Sequence, residues 1–189
     1  IMLKISLLGV GLMGAPMSRR LLGAGHALTV WNRSPDKAQA LVAHGARLAP
    51  TPAQAAQEAD LVITMLTDGH AVGQVLFDPE VGGAAQGLRP GTLVIDMSSI
   101  LPEEARAHAA KLSALGVASL DAPVSGGTLG AEAGTLAIMA GGSTADFERA
   151  RQVLEVLGRP VHVGPIGSGQ LTKLANQMIV GITIGAVAE

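Results

Sequence analysis

The chain has 189 residues, 48% of them hydrophobic, 15% charged and only 2% aromatic, with a net charge of −2. That suffices for one compact core built from Ala, Leu, Val, Ile and Met. The scattered, nearly balanced charge points away from a nucleic-acid or membrane surface, and the absence of cysteine excludes disulfides and thiolate metal sites, in keeping with a cytoplasmic setting.

Ile1 precedes Met2 and is left out of the reading, and the residues that follow carry no signal-peptide pattern. Met2 to Leu8 is an apolar strand-like run that passes straight into Gly9-Val10-Gly11-Leu12-Met13-Gly14 and a helical stretch from Ala15 to Ala24. In a strand–turn–helix of this kind the three glycines have separate tasks. Gly9 makes the bend, Gly11 lets a pyrophosphate approach the backbone, and Gly14 lets helix and strand pack closely. A tight turn without a ligand would use the same residues, but a second strand, Ala27 to Trp31, follows one helix later and favours dinucleotide binding. At the end of that strand, where an acidic residue would bind the ribose 2′-OH of NAD, the sequence has Asn32-Arg33-Ser34. Missing carboxylate, present cation and hydroxyl favour a 2′-phosphate and hence NADP over NAD. Ser34 also suits the N-cap of the next helix, with Pro35 in its first turn; the two readings are compatible.

Gly45 ends that helix, and Thr51-Pro52-Ala53-Gln54 opens another. Leu61 to Leu66 reads as a strand buried on both faces, with Thr67 to His70 as the loop at its carboxyl end, where a doubly wound sheet faces its ligand. Thr92 to Ile95 is a further strand, followed by the loop Asp96 to Ser99, a helix from Pro102 to about Leu115 and a strand from Val117 to Leu120. Asp121-Ala122-Pro123-Val124-Ser125-Gly126-Gly127-Thr128 is either an anion-binding nest or a flexible glycine-rich loop, and composition favours neither. A strand from Leu136 to Ala140, a helix capped by Ser143 and a strand from Pro160 to Val163 come next.

Gly164 to Gly169 reads as a hinge, and from Gln170 the helical pattern continues, with Leu171, Leu174, Met178, Ile182 and Ala186 as its apolar stripe. Lys173 lies off that stripe with Asn176 and Gln177 as face neighbours. This set is either solvated surface or, with a lysine in an early turn beside a cleft, an acid/base site. His26, His44, His70, His108 and His162 stand singly and read as surface or capping residues, and no metal-ligand cluster is expected. Gly181 and Gly185 form a small-residue face suited to partner helices.

Taken together, Gly9 to Met17, Asn32-Arg33-Ser34, Asp121 to Gly127 and Gly167 to Gln177 resemble the β-hydroxyacid dehydrogenase family, in order and with its spacing. Asn176-Gln177 is more similar to the tartronate semialdehyde reductase branch than to relatives with two asparagines there. The resemblance implies an α/β fold: a Rossmann-type, doubly wound, mostly parallel sheet over residues 2–165, then the start of a long interdomain helix over 166–189. The family's all-helical second domain, through which homo-oligomers form, is expected to be missing here. It further implies an NADP- or NAD-linked oxidoreductase interconverting a short β-hydroxy acid and its semialdehyde by hydride transfer. Carried over by position, Gly9, Gly11, Leu12, Met13 and Gly14 cradle the pyrophosphate, Asn32, Arg33 and Ser34 face the adenosine ribose, and Leu66, Thr67 and Ser99 lie along the nicotinamide half. Thr67 and Ser99 are mild departures from the family pattern. Ser125, Gly126, Gly127, Asn176 and Gln177 would bind substrate, with Lys173 as acid/base. The alternative is a catalytically silent NADP-binding recognition module of the same fold.

Overall fold

The computed structural model describes residues 2–188. Its first half is a regular alternation: β1 (Lys4–Leu8), α1 (Gly14–Gly23), β2 (Ala27–Trp31), α2 (Pro35–Val42), β3 (Arg47–Leu48), α3 (Pro52–Ala56), β4 (Leu61–Thr64), α4 (Gly69–Phe77), β5 (Leu93–Asp96), α5 (Pro102–Ala114) and β6 (Ala118–Asp121). These strands pair in parallel in the order β3-β2-β1-β4-β5-β6. Alternation along each strand explains the two layers. Ile5 and Leu7, Leu61 and Ile63, and Leu93 and Ile95 point into one core with Met17 and Leu21 of α1, whereas Leu8, Val62 and Val94 point into a second core with Val72 and Leu76 of α4 and Leu112 of α5. Both faces are therefore covered, as crossover helices require in a parallel sheet.

The helices start where local chemistry dictates. Thr51 accepts from the Gln54 N–H at 3.2 Å before Pro52, Asp68 accepts from the Ala71 N–H at 2.8 Å, and Glu104 reaches back to the Leu101 N–H at 2.9 Å beside Pro102. The strand expected to reach Leu66 ends at Thr64, because the chain turns towards the Asp68 cap there.

The second half departs more from expectation. After β7 (Val124–Ser125) come α6 (Gly127–Ala133), β8 (Leu136–Gly141), α7 (Thr144–Leu157), β9 (Gly158–Gly164) and α8 (Ser168–Ala188). β8 runs antiparallel to both β6 and β7, and β9 adds in parallel to β8. Ser125 pairs with Ala137 across β7 and β8, so the glycine-rich segment is held by the sheet and is not a flexible loop. The reading of His26 and His108 as surface or capping residues is corrected. His26 is buried with its Nδ1 accepting from the Leu3 N–H, His108 packs against Phe77, and burial lowers the pKa of both rings.

Candidate functional site

β1 lies between β2 and β4, so the chain crosses over in opposite directions on its two sides and a crevice opens at the carboxyl ends of β1 and β4. The glycine turn after β1 forms one wall, and Met65-Leu66-Thr67 after β4 forms the other. Gly9 has φ +105°, and a Cβ there would fall on the Met65 carbonyl oxygen; at Gly14 it would fall on the Gly9 carbonyl oxygen. At Gly11 a Cβ would meet nothing within 4 Å. Two of the glycines are therefore needed by the protein itself, and the third leaves space for something else. Met13, at the start of α1, offers no side-chain cap, and the first turn has no acidic residue. Among the described residues, the N–H groups of Gly11, Leu12 and Met13 have no backbone acceptor. Such a terminus fits a phosphate group.

A groove of about 470 Å³ contains Gly9, Gly11, Leu12, Met13, Gly14, Asn32, Arg33, Ser34, Leu66 and Thr67, which brings together all but one of the residues expected to hold cofactor. The exception is Ser99. It lines an adjoining cleft of about 500 Å³ with Lys173, Gln177 and Asp68, the residue after Thr67. Asn32 faces inward, but its carboxamide is already engaged. Oδ1 accepts from the Val10 N–H at 2.9 Å, and Nδ2 donates to the Ser34 carbonyl at 2.9 Å. It braces the glycine turn against the Arg33-Ser34 segment. Lys37 also lines the groove, although the sequence motifs did not single it out. One helical turn beyond Ser34, it puts a second cation beside Arg33, a signal available from the spacing alone.

Lys173 belongs to the second cleft. It is only 8% exposed, and burial lowers its pKa below the ordinary lysine value. A lysine so placed gives up its proton more readily than a solvated one. The apolar stripe of α8 is its exposed side: Leu171 is 62% and Met178 67% accessible. What docks α8 is its polar beginning. Gly169, Gln170 and Lys173 are its buried residues among those described. Asn176 Nδ2 donates to Ser125 Oγ at 3.3 Å, so α8 also reaches the Ser125-Gly126-Gly127 turn, where Gly126 and Gly127 have φ of 134° and 61°.

Beneath both clefts lie two buried carboxylates in register on β5 and β6, Asp96 and Asp121. Asp96 is pushed up to about 6 by burial, partly offset by Thr64 and Ser98, which donate to Oδ1 at 2.8 and 3.0 Å. Ser98 Oγ in turn accepts from the Leu66 N–H at 2.9 Å, tying the two carboxyl-end loops together. Burial also raises Asp121, against the N–H donors of Gly167 and Gln170. The expected hinge at Gly164 to Gly169 is thus corrected. Asp121 accepts from Gly167 and Gln170 at 2.7 and 2.8 Å, and a Cβ at Gly169 would fall on the Met139 and Asp121 carbonyl oxygens, so the segment is a fitted socket.

Comparison with known proteins places this geometry. Residues 4–167 match the family model described as the NAD binding domain of 6-phosphogluconate dehydrogenase. The chain is 44% identical over 189 residues to a probable 3-hydroxyisobutyrate dehydrogenase of Mycobacterium tuberculosis, covering 100% of this chain and 63% of that protein. It is 42% identical over 188 residues to the 2-hydroxy-3-oxopropionate reductase of Escherichia coli, covering 99% of this chain and 63% of that one. A solved structure of M. tuberculosis 3-hydroxyisobutyrate dehydrogenase with L-serine superposes with a TM-score of 0.93 at 41% identity, over 100% of this chain and 63% of that one. The chain therefore spans somewhat under two thirds of the length of these relatives, all of them named as dehydrogenases or reductases. Among the described residues, no helix is long and apolar enough to cross a membrane.

Proposed function

This chain belongs to the family of the NAD-binding domain of 6-phosphogluconate dehydrogenase, and from that premise we propose that it carries the cofactor half and the acid/base of an NADP-dependent oxidoreductase. The reaction interconverts a short β-hydroxy acid and its semialdehyde in the cytoplasm: tartronate semialdehyde and glycerate, or methylmalonate semialdehyde and 3-hydroxyisobutyrate. Residues 2–165 serve as the dinucleotide domain, and 166–189 begin the helix leading to the remaining length that the relatives possess. The exposed apolar side of α8 is the face we assign to that part, and through it to a homo-oligomer.

The observation that carries the reading is Lys173, buried in a cleft that adjoins the glycine-turn groove. The nicotinamide, when bound, supplies or accepts the hydride at the substrate carbon. The protein's own part is positioning and charge. Gly11, Leu12 and Met13 present N–H groups to the pyrophosphate, while Arg33, Ser34 and Lys37 present positive charge and a hydroxyl to a 2′-phosphate. Ser125, Gly126 and Gly127 hold the substrate carboxylate, with Asn176 and Gln177 orienting its hydroxyl-bearing carbon. In the reductive direction Lys173 donates a proton from Nζ to the oxygen on which negative charge develops. Its ammonium also stabilises that charge before transfer. In the oxidative direction neutral Lys173 takes the hydroxyl proton, and the lowered pKa favours that form.

The test uses the full reading frame that contains this chain. NADPH oxidation is followed with tartronate semialdehyde and with methylmalonate semialdehyde, for the parent and for Lys173→Ala. The expected result is loss of turnover by about a hundredfold or more with NADPH affinity retained. Turnover that survives the substitution removes Lys173 from the chemistry, and bound NADPH without turnover of either semialdehyde favours a recognition module.

A further inference from the structure

We propose that Asp121 and Gln170 are positioning residues that set the place of Lys173 by clamping the start of α8 to the carboxyl ends of β5 and β6. The inference rests on the reading of Lys173 as acid/base, and it concerns residues that the reading leaves without a task. The N-terminus of α8 is capped from far away in sequence. The Gly167 N–H donates to Asp121 Oδ1 and the Gln170 N–H to Asp121 Oδ2, over separations of 46 and 49 residues. A cap needed only for helix stability is available locally, as Ser143 shows for α7. A cap drawn from the end of β6 does more, because it fixes the height and rotation of the helix relative to the sheet.

Gln170 supplies the second constraint. Its side chain is 1% exposed, with Oε1 accepting from the Ile100 N–H at 3.1 Å and Nε2 donating to the Ser98 carbonyl at 2.8 Å. Ser99 and Ile100 line the cleft that holds Lys173. Lys173 stands three residues after Gln170 on the same helix face. The amide therefore ties the wall that carries Lys173 to the wall opposite and sets the width of the cleft between them. Glycine at 141 and 169 is part of the same fitting. A Cβ at Gly141 would meet Asp121 Oδ1 at 2.5 Å and the Gly169 N at 2.8 Å. Beyond Lys173 every described residue of α8 is exposed or half-buried, so among the described residues the clamp lies where the helix is buried.

Loosening the clamp lets the first turns of α8 move outward and water reach Lys173. The chemistry then suffers and the dinucleotide groove, on the far side of Thr67 and Asp68, does not. The experiment compares Asp121→Asn and Gln170→Met with the parent in the full reading frame. The Asp121→Asn side chain keeps the size but can accept from only one of the two N–H groups; the Gln170→Met side chain keeps the length and makes neither bond. The chain has four lysines, so reductive ¹³C-methylation gives few NMR signals from it, and Lys173 is assigned by its loss in Lys173→Arg. The expected result is a Lys173 titration moved to higher pH, toward an ordinary lysine, in both variants. Turnover falls about tenfold or more and NADPH affinity stays within about twofold. A Lys173 titration unmoved in both variants, or NADPH affinity lost along with turnover, overturns the proposal. If Lys173→Ala keeps its turnover while the titration still moves, the positioning stands and the acid/base assignment falls. Should Asp121→Asn not fold, Gln170→Met carries the test alone.

Discussion

Two helices of this molecule begin after glycine-bearing turns at the carboxyl edge of the sheet, and they treat their N-termini in opposite ways. α1 starts without a side-chain cap, without an acidic residue in its first turn, and with open space where Gly11 would carry a Cβ. α8 starts on the Asp121 carboxylate, with Gly169 packed so closely that a Cβ would overlap two carbonyl oxygens. The partial positive charge at a helix start attracts an anion in either case. In one the protein supplies that anion and gains a fixed joint; in the other it supplies none and gains a binding site. A glycine turn before a helix therefore says little until one knows whether a carboxylate from elsewhere has filled it.

The contrast is open to direct attack, and the largest effect belongs to the filled terminus. Gly169→Ala should cost about 3 kcal/mol of stability through overpacking against backbone, read from chemical denaturation. An unchanged unfolding midpoint would show that the socket has slack. The same substitution at the open terminus, Gly11→Ala, should leave stability within about 0.5 kcal/mol and weaken NADPH by about tenfold or more. Calorimetric titration checks the second figure, and a loss of stability with unchanged affinity would reverse the roles assigned to the two turns. At the ribose end of the same groove, Arg33→Ala should weaken NADPH about tenfold while leaving NADH nearly unchanged. Equal losses for both cofactors would remove the proposed preference for NADP.

The smallest signal comes from Asp96, beneath both sites. Its carboxyl is pushed up to about 6 by burial, above the ordinary 3.8. The folded state then binds the proton more tightly than the unfolded one, so Asp96 makes stability fall as pH rises from about 4 to about 6. Asp96→Asn should remove that part of the slope, by about 1 kcal/mol per pH unit at most. Denaturation midpoints across the window check it, and a slope as steep in the variant as in the parent would assign the titration to another group.

The same contrast separates the parts of the site that could be read in advance from those that could not. The open terminus is local: Gly9, Gly11 and Gly14 lie within six residues and bear on one another through a single turn, so spacing alone implied their separate tasks. Lys37 was equally within reach, one turn from Ser34, but it lies outside the motif. The closed terminus is not local. Nothing in Gly164 to Gly169 announces a carboxylate on a distant strand, and the run reads as a hinge for that reason. The exposed apolar stripe of α8 is half-legible in the same way, because periodicity marks a face to be covered without saying by what.

The alternation of β1, α1, β2 and α2, the strands β4, β5 and β6, coverage of both sheet faces and the glycine turn followed from the amino-acid sequence by itself, since each depends on hydrophobic period and backbone sterics over a few residues; β3, α4, β7 and α6 did not, being too short or too glycine-rich to carry a period. Family membership came from the match over residues 4–167. Tertiary structure alone decided that Asn32 is a brace, that Ser99 shares a cleft with Lys173, and that Asp121 and Gln170 hold the helix that carries it. Those facts depend on which buried polar groups find one another across the sheet. A desolvated carboxylate or amide must be bonded to whatever donor or acceptor the fold brings near, and that partner has no fixed distance along the chain.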